Sequence, residues 1–247
     1  MKPWDAVSIV LKDLEKATDV GVNLLTLEKL AEDKIKELGV ESANKDYKPD
    51  WAPVPFPSVV CINVNDVITH GVPKDYELQG GDIVTYDIGI KSEGLCGDAA
   101  LTTWAGKLSD RDERLLRYAK RTLYEGIKVM KDGALVNDVS SAMHYFAKKN
   151  GFVLNIMFSG HGIGKEMHED PLIPNFPDVE GVSDQKLKTG KMYCIEPILT
   201  YKDVTGEIDN VDNWTVRTLD GRNAGMFEHQ VLVTKDGYEI LTTHIEE

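Results

Sequence analysis

The sequence has few cysteines, a deficit of positive charge and no long apolar run. Its 247 residues include three cysteines, Cys61, Cys96 and Cys194. The number is odd, the spacing is wide and no Cys-x-x-Cys pair occurs, which excludes a disulfide framework and a thiolate zinc site and fits a reducing cytoplasm. Lys and Arg total 28 against 41 Asp and Glu, a formal net charge of −13. Phosphate backbones reward clustered cations, so direct sequence-specific binding of nucleic acid is not expected. No stretch approaches the roughly 18 apolar residues that cross a bilayer. Asp5, Lys12 and Asp13 interrupt what would have to be the apolar core of a signal peptide, so neither secretion nor a membrane partner is expected.

What is present is enough apolar material, 42% of residues, for one sizeable core. Val7, Val10, Leu11 and Leu14, then Leu27, Leu30, Ala31, Ile35 and Leu38, follow helical spacing until Gly39 stops it. Between 39 and 57, Pro49, Pro53, Pro55 and Pro57 exclude a helix interior or central strand and predict an extended loop carrying Trp51 and Phe56. Strands are predicted at Val59–Val64, Ile83–Ile90 and Ala99–Trp104. A helix capped by Ser109 and Asp112 should run to Gly133, and a second, capped by Asn137, should close at Asn150-Gly151. Strands return at Met192–Leu199, Trp214–Thr218, Gln230–Thr234 and Glu239–Leu241. This order predicts an α+β class, helices on one face of a largely antiparallel sheet. A faint repeat, with Gly81 six residues before Asp87 and Gly190 six before Glu196, suggests two related lobes.

Four acids sit nearly alone in apolar strands: Asp87 in IVTYDIGI, Asp98 before Ala99-Ala100-Leu101, Glu196 in MYCIEPIL and Glu228 in MFEHQVLV. An unpaired buried carboxylate costs several kcal/mol. After Arg121 the only arginines are Arg217 and Arg222, and the four acid-bearing segments carry none. Divalent cations are the better compensators. His161 lies within Gly160-His161-Gly162-Ile163-Gly164, where glycines permit unusual φ and close backbone approach. His168 follows before Glu169-Asp170-Pro171, and His70 sits in a Thr69-His70-Gly71-Val72-Pro73 turn. His144 reads as a partly exposed helical residue; His229 and His244 have no comparable context. One imidazole with four carboxylates suits a pair of first-row divalent ions.

The stretches NVNDVITHGVP, GDIVTYDIG, GDAALT, GHGIGKEMHEDP, CIEP and FEHQVLVT resemble the signature segments of type I methionine aminopeptidases, from about Phe56 to Thr242. The resemblance implies a pita-bread (creatinase/aminopeptidase) fold, a pseudo-two-fold antiparallel sheet covered by helices. It implies one catalytic domain over 1–247, with the helices and Pro-rich loop of 1–55 packed on it. It also implies two divalent ions (Mn2+, Fe2+, Co2+ or Zn2+), held by Asp87, Asp98, His161, Glu196 and Glu228. Glu196 would shuttle protons, His168 would hydrogen-bond the scissile amide or its tetrahedral intermediate, and His70 would orient the amide and assist the leaving group. Phe56, Cys61, Met167 and Trp214 match the methionine pocket, although core packing is an equal account of Cys61.

The implied substrate is a peptide or nascent polypeptide, met as a cytoplasmic monomer and, for nascent chains, at the ribosome. Two departures stand out. Asp50 and Pro53 occupy places where family members often carry a cysteine and a tyrosine, and the Tyr201–Asn213 segment is acidic where bacterial relatives tend to be basic. A ribosome contact would then fall to the basic helix with Arg111, Arg114, Arg117, Lys120 and Arg121. Prolidase and aminopeptidase P share the fold and ligands but usually carry a large N-terminal domain, for which about 55 residues leave no room. A non-catalytic binding protein of the same fold typically loses ligands that are kept here. Because a ligand imidazole must be neutral, His161 is expected to set an acid limit near its ordinary pKa, about 6 to 6.5.

Overall fold

Helix α1 (Pro3–Ala17) places proline in its first turn, where the missing N–H costs nothing, and buries Val7, Val10, Leu11 and Leu14 as their spacing requires. In α2 (Leu24–Leu38) the Asn23 side chain accepts from Leu25 N, and Gly39 ends the helix at φ 65. Both helices sit beside a first sheet. It is built from β1 (Glu41–Ser42), β2 (Cys61–Val64), β4 (Ile83–Ser92) and β5 (Leu95–Trp104), in the order β1-β4-β2 with β5 paired to β4; β3 (Val67–Thr69) lies outside it. The β4–β5 hairpin is longer than the apolar pattern predicted. Glu93 and Gly94 adopt φ 53 and 74 between the paired Ser92 and Leu95, a two-residue turn whose twist matches that of the strands. The extension draws Asp98 into regular pairing.

The structure is a computed structural model that describes residues 1–245. Helix α3 (Asp110–Ile127) begins where Ser109 Oγ accepts from Asp112 N, as predicted, but ends at Ile127 rather than Gly133. The chain after it turns away, and Gly133 N donates to Leu187 O. Helix α4 (Val136–Lys149) starts after Leu135, whose N–H goes to Asp138 Oδ2. Asn137 is therefore not the cap; it exchanges hydrogen bonds with Asp178 instead.

The second half contributes β6 (Val153–Leu154), β7 (Ser159–Ile163), β8 (Glu169–Pro174), β9 (Met192–Ile195), β10 (Ile198–Thr200), β11 (Glu207–Ile208), β12 (Val216–Arg217), β13 (Gly225–Met226), β14 (His229–Val233) and β15 (Tyr238–Ile240). Its main sheet has the order β15-β14-β9-β7-β8, and α3 and α4 contact β9 and β8 respectively. The strand expected over Met192–Leu199 is broken at Glu196-Pro197. Pro197 has no N–H to donate, so pairing stops at Ile195 and resumes in a different sheet, where β10 lies between β13 and β6. All described strand pairings are antiparallel, and one apolar cluster runs from Ala6 to Val233. Gly81 (φ 99) and Gly190 (φ 81) both turn the chain into the strands that lead to Asp87 and Glu196, as the repeat implied.

Candidate metal centre and substrate cavity

The acids converge where the two main sheets come together, with β14 in contact with β5. On the first sheet Asp87 pairs with Ala100 and Asp98 with Gly89, so the two carboxylates leave the same face two positions apart. On the second, His161 faces Cys194 across β7 and β9, and Glu196 follows at the Pro197 break. Glu228 joins the halves: it immediately precedes β14, and its N–H donates to Ala100 O on β5 at 3.0 Å. His161 Nε2 lies 3.8 Å from Asp98 Oδ2 and 3.5 Å from Glu196 Oε1. One ligand atom from each of Asp98, His161, Cys194 and Glu228 falls within 4.8 Å of the others. His161 Nδ1 sits 2.9 Å from Gly162 O. A carbonyl only accepts, so Nδ1 carries the proton and Nε2 presents its lone pair to the acids.

Electrostatically the cluster is unsatisfied. Burial raises the Asp87 carboxyl to about 7. Burial, reinforced by the neighbouring acids, pushes Asp98, Glu196 and Glu228 well above the usual carboxylate range. Burial pulls His161 down to about 3, with the nearby His168 contributing, well below the ordinary value of about 6 to 6.5: a low-dielectric site penalises imidazolium far more than water does. Asp98 Oδ1 and Glu228 Oε1 are buried and have no hydrogen-bond partner. Among the described residues no Lys or Arg ion pair reaches these acids. Crowded oxygens with one imidazole nitrogen and two orphaned buried oxygens fit divalent cations in donor type and in charge.

Above the cluster opens a cavity of about 410 Å³. Every candidate metal, catalytic and methionine-pocket residue lines it: His70, Asp87, Asp98, His161, His168, Glu196 and Glu228, with Phe56, Cys61, Met167 and Trp214. His70 adopts φ 54, a left-handed conformation costly for a non-glycine residue. It is held there by the next residue, since Gly71 N donates to Asn63 Oδ1 at 2.7 Å and a Cβ on Gly71 would collide with Ile62 O. Its ring sits among Trp51, Phe158 and Trp214 at 5.7, 4.9 and 5.7 Å, and burial lowers its pKa to about 4. The His168 ring lies tilted against that of His161, centroids 4.3 Å apart. Phe56 and Trp214 meet edge to face at 5.1 Å beside Cys61, while Met167 belongs to a separate apolar cluster with Cys194.

Several residues here had no signal in the sequence. The Pro-rich loop does not present Asp50 or Pro53 to the cavity; it presents Tyr47, Pro49 and Trp51. Trp51 packs edge-on against Trp214 at 4.9 Å. Met157, Phe158 and Leu172 complete the wall. His229 and His244 are both buried: His229 bonds Tyr124 OH (3.0 Å) and Thr242 Oγ1 (2.8 Å), and His244 Nε2 donates to Ala100 O (3.0 Å). That carbonyl is the one that accepts from Glu228 N, so His244 braces the acid from behind.

Residues 4–235 match the family described as Metallopeptidase family M24. The chain belongs to that family. Among curated M24 relatives it is 36% identical over 242 residues to the methionine aminopeptidase of Aquifex aeolicus, covering 98% of this chain and 93% of the relative. It is 38% identical over 243 residues to that of Helicobacter pylori strain J99, with the same coverages. Among solved structures, a methionine aminopeptidase from Thermotoga maritima aligns with TM-score 0.91 and 33% identity, covering 98% and 94% of the two chains. A prolidase from Pyrococcus furiosus aligns with TM-score 0.76 at 19% identity, and this chain spans 62% of its length; that likeness shows the fold alone. The M24 chain thus has the α+β pita-bread architecture, two antiparallel halves under helices, and it is a metallopeptidase whose buried ligand-type residues suit divalent metal.

Proposed function

We propose that Asp87, Asp98, His161, Glu196 and Glu228 hold two divalent cations drawn from Mn2+, Fe2+, Co2+ and Zn2+. The chain removes the N-terminal methionine from polypeptides, as its curated relatives' names state for them at 33–38% identity. The observation that carries the metal reading is the pair of buried, partnerless oxygens on Asp98 and Glu228 at the floor of the cavity. When bound, divalent ions supply Lewis acidity, acidifying a water and polarising a carbonyl.

The chain's own residues do the rest. Glu196, 16% exposed at its side chain where it meets the cavity, takes the proton of the attacking water and delivers it to the leaving amine. A carboxyl whose proton affinity is raised by burial suits that exchange. His168 donates to the scissile carbonyl oxygen as charge gathers there. Neutral His70, fixed among three aromatic rings, orients the amide. The methionine side chain lies against Phe56, Trp214, Cys61 and Met167, where an unbranched thioether gains sulfur–aromatic contact. Nascent polypeptides are the natural substrates, and the exposed face of α3 is the surface we assign to the ribosome. Arg111, Arg114 and Arg121 there lie over Tyr201, Phe152 and Phe146 at 4.2, 4.6 and 5.3 Å, each guanidinium resting on an aromatic ring.

The test is direct. Glu196→Ala and His161→Ala should each abolish release of methionine from a Met-Ala-Ser peptide; near-normal turnover by either would falsify the two-metal assignment. A panel of Met-, Leu- and X-Pro-initial peptides on metal-stripped protein, reconstituted with each ion in turn, separates this activity from that of a prolidase. Cleavage confined to X-Pro would overturn the methionine assignment.

A further inference from the structure

Tyr47 belongs to none of the signature segments, yet its hydroxyl lies 2.8 Å from His168 Nδ1 with the two rings 5.2 Å apart. The contact is built. Phe56 N donates to Tyr47 O at 2.9 Å, Asp46 N to Phe56 O at 2.9 Å and Tyr47 N to Asn44 O at 3.0 Å, so a small backbone bracket fixes the tyrosine at the mouth of the loop. The Asn44 side chain ties that bracket to the first sheet, accepting from Gly89 N. His168, by contrast, stands in an irregular segment between β7 and β8, where no backbone pairing orients its ring.

An imidazole beside a developing oxyanion helps if it offers N–H and hinders if it offers a lone pair. Which nitrogen carries the hydrogen is set by the partner of the other. A phenol O–H donates readily to the lone pair of an imidazole nitrogen. We infer that Tyr47 is a positioning residue: its O–H donates to His168 Nδ1 and thereby leaves the hydrogen on Nε2, the nitrogen that faces the scissile carbonyl. This rests on the role given to His168 above.

The experiment pairs a spectrum with a double-mutant cycle. In Zn2+-loaded protein with 15N-labelled histidine, the His168 signals, assigned by their loss in His168→Ala, should report the Nε2–H tautomer; Tyr47→Phe, which keeps the ring, should convert them to a mixture. With Met-Ala-Ser, Tyr47→Phe should lower kcat about 10- to 100-fold at unchanged KM and metal content, and should change nothing further in the His168→Ala background. An Nδ1–H tautomer in the wild type, wild-type kcat in Tyr47→Phe, or an equal loss in the His168→Ala background would each overturn the inference. A wild-type protein that releases no methionine would instead sink the function assigned above, while the spectrum would still read the Tyr47–His168 pair.

Discussion

A carboxylate is most costly where it meets neither water nor a partner, and Asp98 and Glu228 each keep one oxygen in that condition. The sequence disclosed them because a solitary acid in an apolar strand violates the expected pattern, and it disclosed His161 because glycines flank it. It could not disclose His229 and His244. Their partners Tyr124 and Ala100 lie 105 and 144 residues away, and such pairings leave no local mark. His168 provides the test at this scale. It touches His161 but stands outside the carboxylate cluster, so His168→Ala should retain its metal, measured by elemental analysis, while kcat drops by about two to three orders of magnitude, the scale of losing one donor to an oxyanion. Equal loss of metal and activity would make it a ligand.

At the scale of elements, the apolar strands were legible, whereas Gly-rich β7, which carries His161, its partner β8 and the short β1, β3, β6, β11 and β13 were not, and neither were strand ends. Ends are set by partners: Pro197 could be read as a pairing stop only once β9 and β10 were known to join different sheets, and α3 ends early because the segment after it bonds to Leu187. The Gly-His-Gly segment shows the same distinction. Neither Gly160 nor Gly162 has a left-handed φ. They are glycines because neighbouring backbone passes too close for a side chain: a Cβ on Gly160 would collide with Cys194 O, and one on Gly162 would come within 2.6 Å of Asp170 O. Gly162→Ala should therefore push β7 from β8 and tilt His161. We expect about 1–3 kcal/mol of destabilisation in urea unfolding, together with weaker metal binding by calorimetry. Unchanged metal affinity would detach that glycine from the site.

For the whole molecule, the feature that matters is that each half supplies an incomplete set: Asp87 and Asp98 from one sheet, His161, Glu196 and Glu228 from the other. That division was faintly visible as the repeated glycine-to-acid spacing, but which faces would meet was not. It gives a pH-dependent stability with a definite sign. Asp87 is raised to about 7, so in metal-free protein its stabilising contribution, full below the ordinary carboxylate pKa near 4, is lost as pH rises through 7. His70 and His161, lowered to about 4 and 3, act oppositely: their contribution is present above about 6.5 and lost as pH falls toward those values. Added Mn2+ binds the ionised acids and relieves only the first loss. The rise in Tm on adding Mn2+ to stripped protein should accordingly be larger at pH 8 than at pH 5.5, as scanning calorimetry would show. A gain independent of pH would contradict the buried acid cluster.

Thr243 N donates to Ser8 Oγ in α1, and the neighbouring His244 donates to Ala100 O behind Glu228. Neither Ser8 nor Thr243 lines the cavity. The first helix is nonetheless tethered, through two consecutive residues, to the prop of a candidate ligand, so loosening α1 would be felt as slackness at the far floor of the site.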